Sequence, residues 1–217
     1  MIKVNNFTYI HPLKCGGTFV NEILDNTDEP EYLGYHLPRS KVTGEHTFVA
    51  SVRNPFDWYV SFYHHSVEKR GYIFECNDDF KTTLISLLSL RDSNLYEGML
   101  NHDWVGDCAS YITKSDIADY PSDVGFYTWN WNRMVADTNG NTEDVHVIKT
   151  ETLRDDLVNT FSKFGKITDN IKSLIMSTPD ANVQKDRKPY QEYYDDELIA
   201  LVYKADKVMF DRFGYAF

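Results

Sequence analysis

Apolar residues in this chain fall either in short continuous runs or at positions with helical spacing. Three runs, at 7–11, 47–52 and 145–149, are short and bounded by polar residues, which predicts three β-strands. The run at 47–52 is largely apolar, as expected for a buried strand of a parallel sheet. The sequence therefore predicts a sheet that contains these three strands.

The segments between and after these runs have the spacing of amphipathic helices. The predicted helices span 17–26, 55–69, 78–91, 152–165 and 194–213. Pro55 suits a first helical position, and Gly165 ends the fourth helix. Residues 92–142 are rich in Asn, Asp, Gly, Tyr and Trp, and for them the pattern indicates only short helices and loops.

The order of these elements predicts the fold class. Strands alternating with helices across short crossovers indicate an α/β fold, a single domain over 1–217 with a central parallel β-sheet flanked by helices. Ligands of such folds bind beyond the carboxyl ends of the strands. The loops at 11–18 and 53–61 both follow predicted strands, so we expect the functional residues there.

Composition and targeting signals narrow the class of protein. The hydrophobic share of 42% is ordinary for a globular chain, which argues against disorder. No apolar run approaches the roughly 20 residues that span a bilayer, and the start of the sequence has no signal-peptide pattern. Three cysteines without CxxC spacing indicate neither a disulfide framework nor a zinc site. We therefore expect a soluble, cytoplasmic protein that holds no metal.

The net charge restricts the partners. A value of −11 disfavours nucleic acid and anionic membrane as partners, because both bind basic surfaces. The same value makes each local group of cations informative, since an acidic protein that binds an anion must concentrate positive charge at the site.

The loop HPLKCGGTF, residues 11–19, has the composition of an anion-binding site. Gly16 and Gly17 allow backbone amides to approach a ligand at the start of a helix, while Lys14 adds a charge and Thr18 a hydroxyl. The alternative is a plain strand-to-helix turn with a surface lysine. The loop is not a Walker A motif, because its lysine precedes the glycines.

The second stretch, SVRNPFDWYVSFYHH, spans residues 51–65. Arg53 ends a predicted strand, and Ser61 follows two helical turns later, roughly 12 Å along the axis. A guanidinium and a hydroxyl so placed suit a phosphate, because arginine offers a fork of donors. The alternative is an Arg53–Asp57 salt bridge with a solvated Ser61.

Together these two stretches resemble the sulfotransferase family that uses 3′-phosphoadenosine 5′-phosphosulfate (PAPS), in particular its bacterial, viral and carbohydrate-type members. HPLKCGGTF is similar to the 5′-phosphosulfate loop, PKTGGT or PKSGTT, although Pro12 stands one place earlier and Cys15 and Phe19 replace commoner residues. The second stretch is similar to the 3′-phosphate motif, RNPxDxxxSxY, at Arg53, Asn54, Pro55, Asp57, Ser61 and Tyr63.

The resemblance extends to later parts of the chain. VIKTETL (147–153) and the closing segment 193–217 are also similar to parts of the family, so the likeness covers 7–66 and 145–217. It leaves 67–144 unmatched. We interpret that stretch, with Trp104 and Tyr111, as a helical and loop insertion that binds the acceptor.

The resemblance implies a reaction and a set of site residues. PAPS would be the co-substrate, with no metal, and Lys14 would act on its bridging oxygen. The implied PAPS-binding residues are Lys14, Cys15, Gly16, Gly17, Thr18, Phe19, Arg53, Ser61, Arg187 and Lys188. Phe19 lies either against the adenine or in the core. Arg187 and Lys188 either complete the pocket or belong to a solvated charge run, 185–188.

The resemblance also places His36 as the catalytic base that accepts the proton of the acceptor hydroxyl. Histidine ordinarily titrates near pH 6.5, so it offers a neutral base at pH 7. The alternative is a loop histidine with local hydrogen bonds, in which case Glu22 or Glu45 is the next candidate.

The acceptor is predicted only as a class. The negative chain disfavours a heavily sulfated glycan, so we expect a neutral carbohydrate or a small hydroxylated metabolite. Two other interpretations stay open: a P-loop-type nucleotide or metabolite kinase, and a non-catalytic nucleotide- or glycan-binding protein of the same fold. The sequence makes no prediction of oligomeric state.

Overall fold

The computed structural model is an α/β structure that describes residues 1–68, 79–101, 112, 114–181 and 187–217. Within this part of the chain, five strands form one mixed sheet in the order β3-β1-β2-β4-β5. The strands are β1 Ile2–Val4, β2 Phe7–Ile10, β3 Glu31–Tyr32, β4 Phe48–Val52 and β5 His146–Lys149.

The three predicted strands form the parallel part of this sheet. They are β2, β4 and β5, and β4 pairs in parallel with β2 on one side and with β5 on the other. Every residue of β2 and β4 is buried, which explains why their sequences are apolar at nearly every position. The α/β class and the parallel centre are therefore confirmed.

The sheet as a whole is mixed, because β1 pairs antiparallel with both β2 and β3. Val4 pairs with Phe7 across a two-residue turn, in which Asn5 has a φ of 51°. Asparagine tolerates this conformation better than most residues do. Strands of two or three residues are too short to produce a recognisable pattern, so both escaped prediction. The glycine loop therefore follows β2, which is the first of the strands predicted from the sequence and the second strand of the observed structure.

The helices agree closely with prediction in the first half of the chain and less closely in the second. In chain order they are α1 Gly17–Asp25, α2 Pro55–Glu68, α3 Phe80–Leu88, α4 Asn94–Asn101, α5 Lys114–Ala118, α6 Phe126–Val135, α7 Leu153–Phe164, α8 Asp169–Ser177, α9 Asp196–Ala205 and α10 Lys207–Phe213. Pro55 is the first residue of α2, and Gly165 ends α7, as predicted. No helix among the described residues is long and apolar enough to cross a membrane.

The predicted closing helix, 194–213, is two helices that meet at Asp206. The Asp206 carboxylate accepts hydrogen bonds from the Tyr59 hydroxyl at 2.7 Å, from the Thr128 hydroxyl at 2.6 Å and from the Thr128 amide at 2.9 Å. Asp206 is fully buried, and burial raises its pKa above the ordinary value. These contacts with distant parts of the chain interrupt a helical pattern that is otherwise continuous, so the sequence did not reveal the break.

The chain divides into two compact units. The first comprises Met1–Arg53 and Asn130–Arg187, and it contains the sheet. The second comprises Asn54–Trp129 and Lys188–Phe217, and the regular elements of its described residues are helices.

Each unit has its own buried apolar residues. In the first, α1, α7 and α8 contribute to one core with the strands, and this core includes Tyr9, Phe19 and Phe161. In the second, aromatic rings dominate, with the Trp58 indole stacked on Tyr127 at 4.6 Å between ring centroids.

Candidate functional site

The glycine loop contacts residues that follow the other two parallel strands. An Nη1 hydrogen of Arg53, just after β4, is donated to the Lys14 carbonyl oxygen at 3.1 Å. Thr150, just after β5, donates its hydroxyl hydrogen to the Val52 carbonyl at 2.9 Å. A Cβ added at Gly16 would lie 3.6 Å from the Thr150 methyl group. Residues 11–18 and Arg53 therefore meet at the carboxyl edge of the sheet, as the sequence led us to expect.

The backbone of this loop has two left-handed residues. Lys14 has a φ of 58°, and Gly16, which precedes α1, has a φ of 77°. Glycine adopts this conformation at little cost, whereas lysine does so with strain. Gly16 is the N-cap residue of α1 and, as a glycine, has no side chain that could cap the helix. The first amides of a helix have no hydrogen-bond partners within the helix itself. The loop and helix start thus have the polarity of an anion-binding site.

Both glycines are also required by packing within the protein itself. A Cβ at Gly17 would lie 1.9 Å from Cδ2 of His11, so the imidazole occupies the space of a side chain at this position. A Cβ at Gly16 would lie 2.8 Å from a methyl group of Leu153. The glycine pair consequently has a structural explanation that does not depend on a ligand.

Two side chains in this loop point into the protein. Cys15 is fully buried and donates its thiol hydrogen to the Leu13 carbonyl at 3.3 Å. Phe19 is 5% exposed and belongs to the core, and its ring centroid lies 4.6 Å from the guanidinium carbon of Arg154. Of the two positions considered for Phe19, against the adenine or in the core, the structure shows the core position. Of the polar side chains in the loop, Lys14 is half-buried and Thr18 exposed.

His36 is a buried residue beside the start of this loop. It has a positive φ of 46°, and its Nδ1 lies 3.0 Å from the His11 carbonyl oxygen. Because a carbonyl only accepts hydrogen bonds, Nδ1 carries the proton and Nε2 of the neutral ring has the lone pair. The ring centroid lies 4.3 Å from that of His11 and 4.2 Å from that of Tyr35.

Burial affects the protonation of both histidines. It lowers the pKa of His36 to about 4, despite the favourable hydrogen bond to His11. The pKa of His11 is also well below its ordinary value, chiefly through burial and then through repulsion by the positive charges that His36, the N-terminus and Lys14 carry when protonated. Both rings are therefore neutral at pH 7. His36 is therefore a weaker base than a histidine with the ordinary pKa of 6.5.

The remaining predicted site residues are distributed over both units. In the first unit Arg187 is half-buried, and Glu22 and Glu45, the alternative bases, are exposed. In the second unit Ser61 lies half-buried on α2. Lys188 is exposed there and forms a surface ion pair with Glu192 at 3.6 Å, as a solvated charge run would.

Asn54, a motif residue, has a clear local role within the second unit. Its side-chain oxygen accepts from the Phe56 amide at 3.0 Å, which caps the start of α2. Its amide donates to the Ala216 carbonyl at 2.8 Å and so attaches the end of the chain to this helix.

Sequence reasoning missed three residues near the glycine loop. Thr150 directly follows a predicted strand, the same signal that identified Arg53. Asn21 donates to Nδ1 of His11 at 3.1 Å, and its position on the predicted first helix could have suggested a role. Tyr35 contacts His36, but no local pattern distinguishes it from other surface tyrosines.

Some predictions fall outside the described residues, namely Trp104, Tyr111 and the positions 185–186 of the basic run. Among the described residues, no group of three or more His, Cys, Asp and Glu side chains is arranged to hold a metal ion. Comparisons with protein-family models, with curated proteins and with solved structures find no match.

Proposed function

We propose that this protein is a sulfotransferase that transfers the sulfuryl group of PAPS to a hydroxyl of a neutral carbohydrate or small hydroxylated metabolite. The observation that best supports the proposal is the hydrogen bond from Arg53 to the Lys14 carbonyl, because it joins the two motifs of the resemblance. Two cationic side chains thereby belong to one loop region in a chain with a net charge of −11. The predicted cytoplasmic location is part of the same proposal.

The residues around the glycine loop have roles that suit sulfuryl transfer. In this reaction the acceptor oxygen bonds to sulfur while the bond from sulfur to the bridging oxygen breaks. The electron pair of that bond stays on the departing phosphate. Lys14 would neutralise this developing charge, and the amides at the start of α1 would hold the 5′-phosphate. Arg53 would bind the 3′-phosphate.

His36 would take the proton of the acceptor hydroxyl on Nε2. The hydrogen bond from Nδ1 to the His11 carbonyl supports this role, because it holds the neutral ring in the tautomer whose Nε2 accepts. A base with a pKa of about 4 is weak, but it is unprotonated throughout the physiological range.

The burial of His36 favours one alternative, a non-catalytic nucleotide-binding protein. At 4% exposure the ring is less accessible than a base that meets its acceptor in solution would be. In that case Lys14 and Arg53 would contribute only to nucleotide affinity, and no product would form from PAPS.

A transfer assay separates these functions. PAPS labelled with ³⁵S is incubated with a panel of sugars and phenols in the presence of EDTA, and labelled esters are separated by chromatography. We expect EDTA-resistant product. Magnesium-dependent phosphoryl transfer from ATP, with none from PAPS, would instead establish the kinase interpretation. Nucleotide binding without turnover of any kind would establish the non-catalytic one.

A further inference from the structure

Tyr35 is an exposed aromatic residue directly before the buried His36. Its exposed fraction is 55%, whereas that of His36 is 4%. The backbone is unusual on both sides, with a φ of 153° at Gly34 and 46° at His36. These conformations direct two consecutive side chains into opposite environments, one into solvent and one into the protein.

Two rings that contact the His36 imidazole differ in their access to solvent. His11 and Tyr35 have ring centroids 4.3 Å and 4.2 Å from that of His36, and the planes of the Tyr35 and His36 rings are inclined at 76°. His11 is 6% exposed, so of these two rings only that of Tyr35 reaches solvent. A molecule that comes to His36 along this side contacts the tyrosine first.

We propose that Tyr35 selects acceptors that contain a ring, by stacking against the flat face of a hydroxylated six-membered ring. This inference rests on the proposed function, since it takes His36 as the group that receives the acceptor proton. A tyrosine face offers a large apolar area beside a polar hydroxyl, which suits both a pyranose and a phenol. The net charge of −11 favours an uncharged ring over an anionic one.

Tyr32 provides a matched control. It is 56% exposed, almost the same as Tyr35, and lies only three residues earlier, in β3. Tyr32→Ala and Tyr35→Ala each remove one exposed tyrosine from this segment. Only Tyr35→Ala also removes the ring that contacts His36. Tyr35→Phe keeps the ring and removes the hydroxyl.

The experiment measures binding directly and needs no known acceptor. Wild-type protein is first titrated with adenosine 3′,5′-bisphosphate. The saturated protein is then titrated with phenol, with methyl glucoside and with glycerol, a hydroxylated probe without a ring, by saturation-transfer NMR. We expect Tyr35→Ala to weaken binding of the preferred ring probe roughly 3- to 10-fold, as loss of one ring contact does. Tyr35→Phe and Tyr32→Ala should bind as wild type does, and glycerol should not distinguish the variants.

The outcomes separate this inference from the function on which it rests. Failure of the bisphosphate to bind contradicts the proposed function itself. Normal bisphosphate binding combined with equal ring-probe affinity in wild type and Tyr35→Ala overturns only the role of Tyr35. Absence of ring-probe binding to the saturated wild-type protein overturns it as well. The preferred probe, phenol or glucoside, identifies the kind of ring.

Discussion

Arg53 and Lys14, which are 39 positions apart, are joined by a hydrogen bond of 3.1 Å from the guanidinium to the backbone carbonyl. The bond uses the backbone of Lys14, so the lysine ammonium is not committed to it. It also fixes the end of β4 to the loop that follows β2. A single contact thus connects the two stretches that carry the resemblance.

This arrangement predicts different roles for the two cations. Lys14→Ala should lower the turnover of PAPS more than its affinity, because a charge at the bridging oxygen matters most as the bond breaks. Arg53→Ala should weaken bisphosphate binding, on the order of 10- to 100-fold for a lost charged hydrogen bond. Kinetics and calorimetry on both variants measure the two effects. The reverse pattern would show that the roles are assigned wrongly.

The left-handed backbone of Lys14 predicts a cost in stability. Lys14→Gly and Lys14→Ala remove the same charge, but only glycine adopts a φ of 58° without strain. We expect Lys14→Gly to be more stable than Lys14→Ala by about 1 kcal/mol, measured by urea denaturation. Equal stabilities would mean that this position carries no strain.

The lowered pKa of His36 predicts that acid destabilises the fold. Between pH 6.5 and about 4 the unfolded chain binds a proton at this residue and the folded chain does not, so unfolding becomes more favourable as the pH falls. At 1.36 kcal/mol per pKa unit, the difference from 6.5 to about 4 gives a loss of about 3 kcal/mol. The stability is complete above pH 6.5 and is lost towards pH 4.

The control for this pH dependence is His36→Asn, because asparagine does not titrate and tolerates a positive φ. Its unfolding free energy, measured by urea denaturation across this range, should depend less on pH than that of wild type. The residual slope would include His11, whose pKa is also lowered. An unchanged slope in His36→Asn would contradict the lowered pKa of His36.

The contact between Gly17 and His11 predicts a structural role for the second glycine. Gly17→Ala should destabilise the protein by about 1–3 kcal/mol without any ligand, because the methyl group would overlap the imidazole. Adding His11→Ala should recover part of that loss by making room, which a double-mutant cycle measures. Wild-type stability of Gly17→Ala would instead leave ligand binding as the reason for the glycine.

The sequence predicted the parallel centre of the sheet because β2 and β4 are buried on both faces and therefore read as apolar runs. It did not predict β1 and β3, because strands of three and two residues are too short to show a pattern. The break at Asp206 was also hidden, since it depends on hydrogen bonds from Tyr59 and Thr128. Contacts between distant residues are not visible in a local pattern.

The candidate site was predictable to a similar extent. Lys14 and Arg53 were identified because each follows a predicted strand, and parallel strands place such residues at one edge. The burial of His36 was not predictable, because it arises from the packing of His11 and Tyr35 around a turn. The packing requirement for glycine at position 17 was also not predictable, because the imidazole that leaves no room for a side chain there belongs to His11.

The most direct test of the account is the melting temperature of the protein with adenosine 3′,5′-bisphosphate, ADP or ATP. A ligand that binds only the folded state at 100 times its Kd adds about 2.7 kcal/mol of stability, or roughly 5–10 °C for a chain of this size. We predict such a rise with the bisphosphate, a much smaller one with ADP and ATP, and loss of this preference in Arg53→Ala. Equal shifts from all three nucleotides, or no shift with the bisphosphate, would contradict the proposal that this protein binds PAPS.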